Sequence, residues 1–157
     1  MMKTRGVQQV VVACLAWGSL SLAWADGRLM PAQVPATYKA ECAACHMAYP
    51  PGMLPAASWR RILHGLDRHY GSDASMTALQ VQQIGGWLDA HAGTTKRARE
   101  EPPEDRISRS AWFVRKHREI PASVWERPSV KSAAQCTACH AQAEVGNFEE
   151  HQVRIPR

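Results

Sequence analysis

Apolar residues along this chain recur at helical rather than at alternating spacing. From Ser58 onward, Trp59, Ile62, Leu63 and Leu66 mark one face of a helix, and Gly71 ends the pattern. A second helix opens at Thr77-Ala78-Leu79-Gln80, a capping box, with Met76 and Val81 placed as a hydrophobic staple. It carries Ile84, Trp87 and Leu88 on one face and stops near Gly93. Residues 94–109 are charged and contain Pro102-Pro103, which reads as a linker. Ser110 caps a third predicted helix through Trp112, Phe113 and His117, stopped by Pro121. No stretch shows sustained alternation rich in β-branched residues, so no strand is predicted. The expected fold class is all-α.

The first residues follow a different rule. Lys3 and Arg5 precede an apolar stretch from Val10 to Ala23, and Ala23-Trp24-Ala25 reads as a small-residue cleavage site. Residues 1–25 are therefore expected to be a signal peptide, cleaved after Ala25, and the mature chain to be exported to the periplasm. A retained N-terminal anchor is the alternative, but the apolar run is short for a membrane span. Val11-Val12-Ala13-Cys14 resembles a lipidation site with too little hydrophobic sequence before it, so Cys14 is expected to leave with the signal.

Every remaining cysteine lies in one of two copies of Cys-x-x-Cys-His. These are Cys42-Ala43-Ala44-Cys45-His46 and Cys136-Thr137-Ala138-Cys139-His140. In this motif two thiols bond covalently to the haem vinyl groups and the adjacent histidine ligates the iron. One copy is compatible with a thiol redox pair or half a zinc site; two copies with histidine in the same place point to two haem c groups. Each motif is expected on a short helical turn, because both thiols and the histidine must converge on one ring. Haem also answers a size problem, since 132 residues with few aromatics make a modest core and small domains need such a staple.

Charge adds little about partners. The formal net charge of +5 falls to +3 without Lys3 and Arg5, and four haem propionates would offset it further. No basic stripe interleaved with aromatics argues for nucleic acid. Between Lys96 and Glu119, eight basic residues mingle with five acidic ones. They could face propionates or an acidic partner, or simply be solvated.

His46 and His140 are the proximal ligands by motif. Five further histidines, His64, His69, His91, His117 and His151, compete for two distal positions. At 100° per residue, His69 flanks the Trp59–Ile62–Leu66 face and His64 points away. His69 is followed by the Tyr70-Gly71 loop and the capped helix. That order resembles class I cytochromes c, with His69 where a methionine usually stands. His117 shares a face with Phe113 and Ile120 and is assigned to the second haem. His91 is its rival, being on the Ile84 stripe, although a histidine near a helix C-terminus also suits the helix dipole. His151 is expected to be exposed. Met47 is too close to His46 to reach the opposite face, and Met53 is expected to line the haem edge as core. Histidine on both sides of each iron closes it to substrate and lowers its potential relative to methionine ligation.

These residues carry a family resemblance. Glu41 through Pro55, Ser58-Trp59, His69-Tyr70-Gly71, Trp112 through Pro121, and the end from Ser132 to Arg157 resemble the bacterial dihaem cytochrome c family, abbreviated DHC. The resemblance spans nearly the whole mature chain except 94–109. It implies a periplasmic electron carrier with two low-potential bis-histidine haems and no enzymatic activity. A membrane b-type cytochrome is the implied donor and a small monohaem oxygen-binding cytochrome the implied acceptor. The expected organisation is a signal peptide (1–25), an N-terminal haem unit resembling class I cytochrome c (26–93), a charged linker (94–109), and a short, loop-rich C-terminal haem unit (110–157). The alternatives are a peroxidase or nitrogen-oxide reductase with one open haem, a gas or redox sensor that loses one histidine, and a zinc or thiol–disulfide protein.

Overall fold

The computed structural model describes residues 29–157. The expected signal peptide, its cleavage point after Ala25, and Cys14 lie outside them. The described residues are helical, without strands; a single isolated bridge joins His69 to Ser72.

Three helices build the N-terminal unit: α1 (Ala36–Cys42), α2 (Ala56–His64) and α3 (Ala78–His91). Helix α3 begins as its sequence dictates. Thr77 Oγ1 accepts from the Gln80 amide at 3.3 Å, and the Thr77 amide donates to Gln80 Oε1 at 2.9 Å. Helices α1 and α2 pack against α3 around Tyr38, Leu54, Trp59, Ile84 and Leu88, all nearly inaccessible to solvent. Trp59 keeps its one polar atom satisfied by donating to the Pro51 carbonyl at 2.8 Å.

Helix α2 is shorter than the spacing predicts. It stops at Gly65, and a 3-10 turn follows over Leu66–Arg68. His69 therefore does not ride on the helix; it comes after that turn. Tyr70 and Gly71 then take φ of 50° and 97° in a tight reversal, closed by the Ser72 amide donating to the His69 carbonyl at 3.0 Å. Glycine suits the second of these positions because it carries no Cβ.

The segment 94–109 lies against the N-terminal unit. Ala98 and Pro102 are buried, and Arg61 of α2 pairs with Glu101 and with Asp105, each at 2.7 Å. Arg106 lies over the Tyr70 ring at 4.1 Å from its centroid.

The C-terminal unit holds two short helices, α4 (Ala111–Lys116) and α5 (Ala122–Trp125), and several 3-10 turns. Ser110 caps α4, its Oγ accepting from the Phe113 amide at 3.1 Å. The first residues described reach back to this unit, the Leu29 amide donating to the Gly146 carbonyl at 2.9 Å. Gly146 is required at that crossing, since a Cβ there would lie 2.2 Å from the Met30 nitrogen and φ is +77°.

Candidate haem sites

Seven histidines divide by exposure. His46, His69, His117 and His140 are half-buried, whereas His64, His91 and His151 are exposed. The half-buried four meet as two pairs. The ring centroids of His46 and His69 lie 6.2 Å apart, and so do those of His117 and His140.

That spacing has a chemical meaning. Two metal–nitrogen bonds of about 2 Å, each extended by roughly 1.1 Å to the ring centroid, put two imidazoles on one metal about 6 Å apart. Each pair contains one motif histidine and one from elsewhere in the chain. His46 follows Cys42, the last residue of α1, and Cys45, in the turn beyond it. His140 follows a 3-10 turn over Cys136–Ala138, so both motifs sit at helical turns.

Backbone carbonyls set the orientation of two of the rings. His46 Nδ1 donates to the Met47 carbonyl at 2.7 Å, and His117 Nδ1 donates to the Phe113 carbonyl at 2.9 Å. A carbonyl only accepts, so the proton is on Nδ1 and Nε2 is left free to bind a metal. His117 also stacks on Phe113, 3.9 Å between centroids at 19°, and lies against Trp125. His140 is backed by Phe148 at 5.3 Å. Burial lowers the pKa of His69, with the neighbouring His46 and Arg106 adding to the effect. Burial, then His117, lowers that of His140. Both shifts favour the neutral imidazole that ligation needs.

The rest of the cluster fits a flat, largely apolar group. A cavity of about 920 Å³ surrounds His117 and His140 and takes in Cys136, Cys139, Trp112, Phe113, Trp125 and Phe148. Cofactor pockets are of order 300–1,000 Å³. Leu29, Met53, Arg97 and Ile107, from outside the C-terminal unit, help to line it. Met53, expected at a haem edge as core, is indeed buried, but it lines the cavity of the second site. Beside His69 a smaller cavity of about 260 Å³ is lined by Arg61, Arg68, Tyr70, Glu104 and Asp105 among others.

The remaining candidates lie apart from these pairs. His91 Nδ1 donates to the Trp87 carbonyl at 2.9 Å, and its ring lies against Trp87. His64 Nδ1 donates to the Arg60 carbonyl at 2.6 Å. Met47 is buried next to His46. Cys42, Cys45, Cys136 and Cys139 are free of disulfides. Burial pushes the Cys42 and Cys136 thiols up to about 11, opposite to the lowered pKa of a catalytic thiolate. Sequence reasoning counted Arg97 among the basic residues that could face propionates but did not single it out; its place in the second cavity comes from the fold of the charged segment.

Comparison with known proteins identifies the family. Residues 38–148 match the family model described as dihaem cytochrome c. The chain is similar to the crystal structure of a diheme cytochrome c from Shewanella baltica OS155, with 40% identity and a TM-score of 0.69. That match covers 78% of this chain and 95% of the other. It is also similar to DHC purified from Rhodobacter sphaeroides, with 38% identity and a TM-score of 0.65, over 74% and 98% of the two chains. Among curated proteins no match is found.

Proposed function

Because the chain belongs to the dihaem cytochrome c family and so carries two c-type haems for electron transfer, we propose a specific form of that role. It is a periplasmic relay with both irons closed by histidine pairs, His46 with His69 and His117 with His140. The observation that carries the reading is the shared 6.2 Å spacing of two pairs drawn from four different chain segments. Cys42 and Cys45 would hold one haem covalently, and Cys136 and Cys139 the other.

Bound haem c supplies a one-electron ferric–ferrous couple. The chain's own groups decide what that couple can do. His46 with His69, and His117 with His140, would hold the two irons and leave no site for a substrate, so the protein would act as a carrier rather than an enzyme. The carbonyls of Met47 and Phe113 hold Nδ1–H of His46 and His117, which fixes ring orientation and raises ligand basicity. Histidine in place of methionine lowers both potentials. Phe113, Trp125 and Phe148 give the second site apolar walls.

Export and partners follow from the resemblance and from the first 25 residues. Among the described residues no helix is long and apolar enough to cross a membrane. We place the carrier in the periplasm, taking electrons from a membrane b-type cytochrome and passing them to a small monohaem oxygen-binding cytochrome. Carbon monoxide tests the closed sites: the reduced protein should bind none on mixing. Rapid binding at either haem would favour an enzyme or a gas sensor.

A further inference from the structure

We propose that Arg97 is a carboxylate receptor in the second cavity and holds a propionate of the haem there. The proposal rests on that haem lying between His117 and His140, and it adds a residue from the charged segment to the site.

Arg97 lines the cavity, and its Nε is buried with no hydrogen-bond partner. Its guanidinium lies over the face of Trp112, 4.8 Å from the ring centroid. A cation–π contact occupies the face of the guanidinium and leaves its edge, which carries the N–H donors, free to bind. Of the other cations lining the cavity, Lys116 pairs with Glu150 and Arg118 with Glu119 at 3.6 Å, and Arg115 is exposed to water, unlike the buried Nε of Arg97. Arg61 of α2 already has two carboxylates, Glu101 and Asp105, from the other end of the segment. Among the described residues no carboxylate pairs with Arg97. Burial without a counter-ion lowers its pKa and leaves a cation that a planar carboxylate would satisfy through the guanidinium fork.

The backbone holds Arg97 in place. The Ala98 amide donates to the Thr95 carbonyl at 3.0 Å, closing a turn around it. Ala98 is 2% exposed, wedged against Gly93. A Cβ on Gly93 would lie 2.3 Å from that of Ala98 and 2.6 Å from the Gly52 carbonyl oxygen, so the turn is clamped to the loop before α2. A propionate is the fitting anion because haem brings two carboxylates to the edge of an otherwise apolar ring. A positive charge at that edge raises the reduction potential, since the ferrous form carries one more electron.

Redox titration of the two-haem protein tests this. Arg97→Gln should shift one of the two midpoint potentials downward and leave the other unmoved, and Arg97→Lys, which keeps the charge, should shift it less. Unchanged potentials in Arg97→Gln, or an equal fall of both, would overturn the proposal. If Arg97→Gln does not retain its second haem, a crystal structure of the wild-type holoprotein decides. A propionate oxygen within about 3 Å of an Arg97 nitrogen supports the assignment. Propionates turned away from Arg97, with the haem between His117 and His140, overturn it alone. A haem located elsewhere overturns the site reading beneath it.

Discussion

His46 pairs with His69 and His117 with His140 at the same 6.2 Å between ring centroids, yet the two sites are built from different materials. The first is attached to a protein core in which α1, α2 and α3 close over Tyr38, Leu54, Trp59, Ile84 and Leu88. The second has α4 of six residues and α5 of four, and its histidines border a cavity of about 920 Å³ rather than a packed interior. Buried apolar side chains there are few: Phe113, Val124, Val130 and Ala143. The apolar residues lining that cavity are left without packing partners unless a large apolar group covers them. On the proposed reading, one site is a folded unit that would accept a haem, and the other a wrapping whose core would be the haem.

The largest expected effect follows from this contrast. Replacing Cys136 and Cys139 by serine should halve the haem content and leave residues 110–157 open to protease, while α1 to α3 remain folded. Limited proteolysis with mass spectrometry and far-ultraviolet circular dichroism read the outcome. Resistance of the C-terminal unit without its haem would break the comparison. Next come the distal histidines. His117→Ala should convert one of the two haems to high spin, whereas His91→Ala should change neither, as judged by the ferric optical spectrum. The reverse result would return His91 to the second iron.

A core substitution in the N-terminal unit is smaller in scale. Leu88 is 1% exposed between α1 and α2, and Leu88→Ala should cost about 2–5 kcal/mol in denaturant unfolding of the holoprotein. Both haem spectra should persist. Loss of the second haem before the first unfolds would show that the units do not divide in this way.

The smallest effect concerns the charged segment. Arg61 holds the Asp105 carboxyl below its ordinary value of 3.8. A depressed folded pKa contributes stability above the ordinary value and loses it as pH falls through the folded one. Asp105→Asn should therefore lower the melting temperature at pH 7 by about 1–3 °C, a partly exposed pair being weak. The difference should vanish in strong acid; one that grew there would reverse the sign.

How much of this was legible in the sequence depended on whether the signal was local. Both haem motifs, the Thr77–Gln80 capping box and the Ser110 cap are short patterns whose chemistry operates within a few residues, and the fold contains the caps as read. Helix α1 escaped because Pro35 supplies no side-chain cap and the stretch carries no clear periodicity. Helical spacing extended through Gly65 points to His69 although α2 ends there; the loop before α3 is what places it. His69 reaches His46 through the Tyr70-Gly71 reversal. The seating of 94–109 depends on Arg61 meeting Glu101 and Asp105, forty and forty-four residues away, which no local pattern encodes. The same distance kept Arg97 from standing out among its basic neighbours and hid the turn of Met53 toward the second site.

One further difference between the sites bears on the central claim of two closed irons. The ring planes are 31° apart in the His46–His69 pair and 78° apart in the His117–His140 pair. Near-parallel imidazoles donate into the same iron d-orbital and split the pair widely, whereas near-perpendicular ones donate equally and leave it almost degenerate. Electron paramagnetic resonance of the ferric protein should therefore show two low-spin signals, one rhombic and one strongly anisotropic, in equal amounts. A high-spin signal from either haem in the wild-type protein would contradict the account.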